Sequence, residues 1–231
     1  MTTVLITGTN RGLGLALTRR YAVEGAEVIA CCRDPAKAHA LKELAASSRG
    51  RVRIMQLDVA DEASIASLKL ALGDQPIDIL INNAGMSDPS ARSADRIEAE
   101  TWMTTLRVNA LGPMLVAHAL RDNLRRGSHK KLAAISSNRG STSRAGGGNY
   151  AYQASKAALN NGMRALSRDW ASDGILVGIL HPGWVRTDMG GGEVAFVSAE
   201  ESARGLIRRI AELMPTTSGA FQDYRGVAIR W

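Results

Sequence analysis

The sequence holds only two cysteines, Cys31 and Cys32, and they are neighbours in an apolar run. Side chains alternate across a strand, so adjacent cysteines face opposite ways and make a poor structural disulfide. A reducing compartment is expected. No apolar run approaches the ~18 residues that span a bilayer, and Met1 leads into "VLITGT" without a charged-then-apolar leader. These absences predict a cytoplasmic protein with no membrane partner. Aromatic residues make up 4% of the chain, and no aromatic-interleaved basic face accompanies the formal charge of +7, which argues against a nucleic-acid partner. The cations are scattered, with one mild cluster from Arg121 to Lys131 that reads as a solvated helix end and turn. Repeats, linkers and metal-ligand clusters are missing too, so a single domain over residues 1–231 with no metal is expected.

What is present is a rhythm. Short β-branched apolar runs ("TVLIT", "EVIACC", "VRIMQL", "IDILIN", "KLAAIS", "ILVGIL" and "GVAIRW") alternate with amphipathic stretches beginning near Leu13, Pro35, Glu62, Ala99, Tyr150 and Ala199. Asp34, Asp61, Asn149 and Ser198 stand where helix caps belong. Right-handed crossovers place such helices on both faces of a parallel sheet, so the expected fold is α/β: a doubly wound Rossmann fold with a mostly parallel sheet of seven strands. Residues 87–95, 138–149 and 190–200 break the pattern after strands and should gather at the carboxyl edge, where open α/β sheets bind ligands.

Directly after the first run comes "TGTNRGLG", with Gly8, Gly12 and Gly14 around Asn10, Arg11 and Leu13. Glycines there allow a sharp turn and close backbone approach to a pyrophosphate, and a helix amino end favours negative charge. A dinucleotide site follows. Tyr152 and Lys156 are four apart, which on a helix sets their Cβ atoms about 6 Å apart on one face, whereas Tyr150 has no such partner.

The spacing G-x-x-x-G-x-G, with "NNAG" at 82–85, Tyr152-x-x-x-Lys156 and "HPGWVRTDM" at 181–189, resembles the short-chain dehydrogenase/reductase family. Within it, the chain is similar to the small carbonyl reductases of the sniffer and C-factor type. The resemblance implies a set of roles. Asn109, Ser137, Tyr152 and Lys156 would be catalytic; Asn82 and the backbone of Asn83, Ala84 and Gly85 would lie along the cofactor ribose; and Pro182, Gly183, Val185 and Thr187 would cover the nicotinamide. Asp58 resembles the acid that meets the adenine amino group, with Val59 adding a backbone contact; a cap for the helix over 61–71 is the competing reading. Ser136 rivals Ser137, whose interval to Tyr152 is two residues longer than the commonest family spacing.

NAD-using members carry an acid at the end of the second strand, where this chain has Cys32 followed by Arg33. Arg33 and Arg11 are the two cations such enzymes set around a 2′-phosphate, which favours NADP(H). NAD(H) stays as the alternative through Asp34, here read as a cap for the helix at Pro35. A free phenol titrates near ~10, so bringing Tyr152 towards neutrality takes roughly 4 kcal/mol from Lys156 and the oxidised nicotinamide. Tyr152 would then exchange a proton with a small carbonyl or alcohol substrate as hydride moves, while Lys156 also holds the nicotinamide ribose. Met86, Trp184, Met189, Phe196 and Trp231 are the candidates to line the substrate pocket, under a short loop over about 187–200. His181 is read as a strand-end residue. The helices around Asn109 and Tyr152 resemble those that pair subunits into homodimers or homotetramers. The competing functions are an NADP(H)-binding signalling or regulatory protein with little turnover and an NAD-dependent alcohol dehydrogenase.

Overall fold

The computed structural model of the protein describes residues 1–87, 97–187, 189–190 and 192–231. Most of the expected loop over 87–95 lies outside the described residues. Strands β1 (Thr3–Thr7), β2 (Glu27–Cys32), β3 (Val52–Gln56), β4 (Ile79–Asn82), β5 (Lys131–Ile135), β6 (Leu176–His181) and β7 (Phe221–Asp223) form one sheet. Its order is β3-β2-β1-β4-β5-β6-β7, and every pairing is parallel. The order reverses between β1 and β4, which opens a crevice at their carboxyl ends.

Helices α1 (Gly12–Val23), α2 (His39–Ser47) and α8 (Ala199–Ala211) cover one face. The other is covered by α3 (Glu62–Leu72), α5 (Gly112–Ala119), α6 (Arg121–Arg126) and α7 (Tyr150–Asp169). Successive strand residues feed alternate cores: Leu5, Ile29, Cys31 and Leu80 enter the α3/α5/α7 side, while Val4, Ile6, Cys32 and Ile81 enter the α1/α2/α8 side. Both cysteines are free and buried. Among the described residues no helix is long and apolar enough to cross a membrane.

Four boundaries differ from the sequence expectation. The last strand is Phe221–Asp223 rather than "GVAIRW". The Asp223 carboxylate accepts the Arg225 and Val227 N–H groups at 2.9 Å each, Gly226 takes φ +93, and the tail returns antiparallel through one bridge between Ala228 and Gln222. Asn149 does not cap α7: it sits in the left-handed region (φ 52, ψ 39), from which its side chain misses the first helical N–H groups. The Gln153 side chain instead reaches back to the Gly146 and Gly148 carbonyls. At Pro35 the chain makes only a 3-10 turn, Pro35–Lys37, before α2 begins at His39. The helix from Ala99 runs as α4 (Ala99–Leu106) into a π-helical segment, Arg107–Leu111, and on into α5. Asp61 and Ser198 do cap α3 and α8, accepting N–H bonds from Ala63 and Glu201.

Candidate active site

The glycine turn between β1 and α1 is built by what surrounds it. Gly8 takes φ +70, and a Cβ there would fall 2.8 Å from the Ala84 Cα. A Cβ on Gly14 would lie 2.1 Å from the Gly8 carbonyl oxygen. The Asn83 amide donates to the Thr7 and Gly8 carbonyls at 2.8 and 3.0 Å, and the Thr7 hydroxyl accepts the Asn83 and Ala84 N–H groups, both at 3.0 Å. Thr9, fully buried, donates both N–H and hydroxyl to the Cys31 carbonyl. The "NNAG" segment thus clamps the turn from the β4 side. Helix α1 starts with no acid in its first turn and no side-chain cap, leaving its amino end suited to an anion. Asn10 and Arg11 are exposed at this turn, and Leu13 packs on the α1-side core. Thr187 arrives from beyond β6: its methyl carbon lies 3.2 Å from where a Gly12 Cβ would be.

At the end of β2, Arg33 is exposed and makes no ion pair among the described residues. The Asp34 carboxylate accepts from the Ala36 and Lys37 N–H groups and pairs with the Lys37 ammonium at 3.0 Å. It is a turn cap, as the sequence suggests. Asp58 does not cap α3. Its carboxylate accepts the Ala60 N–H at 2.9 Å, its own N–H donates to Ser64, and Asp61 takes the cap. Val59 is buried beneath α5.

Across the crevice, Tyr152 and Lys156 share one face of α7, with the Lys156 ammonium 5.9 Å from the phenol ring centre. Lys156 is 4% exposed and donates to the Ile135 carbonyl at 2.9 Å, where β5 ends. Asn109, in the π-helical segment, is fully buried: its amide accepts the Met86 N–H and donates to the Met86 carbonyl, both at 2.8 Å, and to the Ser155 hydroxyl at 3.0 Å. A π turn releases backbone groups from the ordinary ladder, and here it falls beside the lysine: a Cβ on Gly85 would meet both Asn109 Oδ1 (3.3 Å) and Lys156 Nζ (3.7 Å). The two serines separate. Ser136 is committed to Asn160, while Ser137 begins the 3-10 turn Asn138–Gly140 beside the phenol.

Burial pushes the Tyr152 phenol above its usual range, with the Ser137 hydroxyl and the Arg139 guanidinium pulling it back. Burial therefore outweighs both lowering influences, and the cation that lowers the phenol here is Arg139 rather than the Lys156 expected from sequence. Burial also brings the Lys156 ammonium down to about 8. His181 is pushed down to about 4 by burial and leaves Nδ1 unpaired, consistent with a neutral strand-end residue.

Past β6, Pro182, Gly183 and Val185 enter a loop closed by a bridge between Val185 and Val197. Arg186 donates to the Val197 carbonyl and Val197 to that of Trp184, so the Val185 N–H and C=O point away from that bridge. Trp184 meets Phe196 edge-on at 5.3 Å, and with Met189 the pair is strongly exposed, Phe196 at 81%. Trp231 does not join them. It lies under the Arg164 guanidinium at 4.4 Å and meets the Phe221 ring at a tilt of 43° and 5.7 Å, roughly three turns further along α7 than Tyr152. Sequence reasoning missed Thr7, Thr9, Arg139 and Asn160; only the Thr-Gly pair at the end of β1 carried a readable signal. Among the described residues no cluster of His, Cys, Asp and Glu could hold a metal ion.

Residues 2–196 match the short chain dehydrogenase family. C-signal of Myxococcus xanthus is 43% identical over 157 residues, spanning 68% of this chain and 93% of that protein. NADPH-bound carbonyl reductase from chicken fatty liver superposes with a TM-score of 0.92 at 32% identity, over 100% of this chain and 94% of that one. Carbonyl reductase Sniffer of D. melanogaster does so with a TM-score of 0.89 at 30% identity, over the whole of both chains.

Proposed function

The chain belongs to the short-chain dehydrogenase family, and on that premise we propose that it is an NADP(H)-dependent carbonyl reductase with Tyr152 as its acid/base. One observation carries the reading: a buried lysine on the face of a tyrosine, across a crevice from an uncapped helix amino end. Gly8, Gly12 and Gly14 with the α1 amino end would hold the pyrophosphate, Arg33 and Arg11 the 2′-phosphate, and Asp58 with Val59 the adenine. Bound NADPH would supply the hydride. Tyr152 would give its proton to the carbonyl oxygen, Ser137 would hold that oxygen in register, and Lys156 would bond the ribose and resupply the proton through the region of Asn109. A phenol held protonated by burial is in the form that reduction requires. The exposed Trp184–Phe196 pair favours small apolar carbonyls, with residues 187–200 as the substrate loop. Homodimers or homotetramers would bury the exposed Met103 and Leu111 on the helical face formed with α7.

Titration with NADPH and NADH, followed by nicotinamide fluorescence, tests the cofactor assignment. We expect NADPH to bind at least about ten-fold more tightly and Arg33→Ala to lose most of that preference, as removal of a charge-assisted bond worth ~1.5–3 kcal/mol should. Equal binding of NADH would return the ribose contact to Asp34. The pH dependence follows from Lys156. Its charged form prevails below about 8 and is lost as pH rises through that value. Since kcat/KM for NADPH reports the free enzyme, it should be flat near neutrality and fall above about 8. An unchanged value at pH ~10, near the ordinary lysine range, would refute this.

The signalling reading has one observation on its side, the 43% identity to C-signal. Turnover that vanishes in Tyr152→Phe separates an enzyme from a binding module.

A further inference from the structure

Trp231 joins the two elements that carry the proposed catalytic set. The tail leading to it is fixed: Ile229 is buried in the α7-side core, and its N–H donates to the Phe221 carbonyl at 2.9 Å. Beyond it, the Arg230 carbonyl accepts the Ser141 hydroxyl at 2.5 Å and the Trp231 carbonyl accepts the Ser143 N–H at 3.0 Å. The Ser141 and Ser143 hydroxyls are themselves 2.9 Å apart. On its other side the Trp231 ring packs against Arg164, a residue of the helix that bears Tyr152 and Lys156.

The Ser137 loop needs such a tie. It runs over 138–149, is longer than the common family interval, and contains three consecutive glycines at 146–148, of which Gly146 and Gly148 are held to α7 by the Gln153 side chain. Ordering each backbone residue costs about 1–2 kcal/mol, so a loop of this length holds a hydroxyl in place only if other groups pin it. The Asn160 amide holds the Gly140 carbonyl and Gln153 the Gly146 and Gly148 carbonyls, so the bonds to 141 and 143 tie the stretch between those two anchors.

We propose that Trp231 and the Arg230 carbonyl are positioning residues that brace the Ser137 loop against α7 and keep the Ser137 hydroxyl beside the Tyr152 phenol. The proposal rests on the carbonyl-reductase reading above.

The test measures NADPH-dependent reduction of isatin by the full chain carrying Trp231→Ala, Trp231→Phe or Ser141→Ala, and by Trp231→Ala combined with Ser137→Ala. Trp231→Ala and Ser141→Ala should each lower kcat about ten-fold, with KM for NADPH within about two-fold. The Phe variant, which keeps a ring under Arg164, should restore most of the rate. In the Ser137→Ala background Trp231→Ala should add nothing, since both changes remove one interaction. A wild-type rate in Trp231→Ala, or its full effect persisting without the Ser137 hydroxyl, would overturn the proposal. If the wild type itself does not reduce isatin, the functional reading fails by itself and amide exchange over 138–144 decides the brace. Faster exchange there in Trp231→Ala upholds it, and unchanged protection overturns it.

Discussion

Tyr152→Phe is expected to lower kcat by roughly 10²- to 10⁴-fold, the range that a positioned general acid contributes, while NADPH affinity stays within about two-fold. The change removes one oxygen from a partly buried ring and leaves its packing. Lys156 keeps its bond to the Ile135 carbonyl, and the Asn109 amide keeps Met86 and Ser155, so the surrounding frame survives. Steady-state reduction assays together with fluorescence titration of NADPH separate the two effects. Tyr150→Phe is the control, since Tyr150 has no lysine partner, and should retain its rate within about two-fold. Full turnover in Tyr152→Phe would remove the phenol from the mechanism.

The second large effect is expected from Gly14→Ala. A methyl group there would sit 2.1 Å from the Gly8 carbonyl oxygen and 2.6 Å from the Asn83 amide nitrogen, the group that clamps the turn. Neither neighbour is a flexible chain end, so the turn itself must move. NADPH binding should fall by about 100-fold or more because the backbone that would approach the pyrophosphate is displaced. Overpacking of about 1–3 kcal/mol, at about 2–4 °C per kcal/mol for a chain of this size, should lower Tm by roughly 2–12 °C. Gly147→Ala, with nothing within 4 Å of the added carbon, should be close to neutral by the same two measurements. Normal cofactor affinity in Gly14→Ala would show that the turn is not the cradle.

Elements set by local pattern were legible in the sequence. The runs "TVLIT" and "EVIACC" are β1 and β2 residue for residue, because buried parallel strands must be continuously apolar and each is bounded by turn residues. The last strand was misplaced because "GVAIRW" has the same apolar look, while the reversal at Asp223 to Gly226 depends on a carboxylate folding back on its own backbone. The π-helical segment left no mark, since its periodicity is ordinary and its register is held by Met86, far away in the chain. Asn149 reads as a cap by composition, yet the left-handed φ beginning at Gly148 carries through it. The glycine turn, the Tyr152 and Lys156 pair and the segment at 182–187 could be picked out by motif. That Ile135 anchors the lysine, Asn160 occupies Ser136, and Trp231 leaves the substrate side became visible only with tertiary contacts.

The neighbouring thiols give the molecule a built-in pair of labels. Cys31 is sealed in the core beneath α3, α5 and α7 and Cys32 in the core beneath α1, α2 and α8, each under 3% exposed. Neither can be alkylated until its own face opens. Pulsed labelling under native conditions, read by fragmentation between the two residues of the peptide that holds both, would therefore time the opening of each side of the sheet separately, from two adjacent positions on one strand.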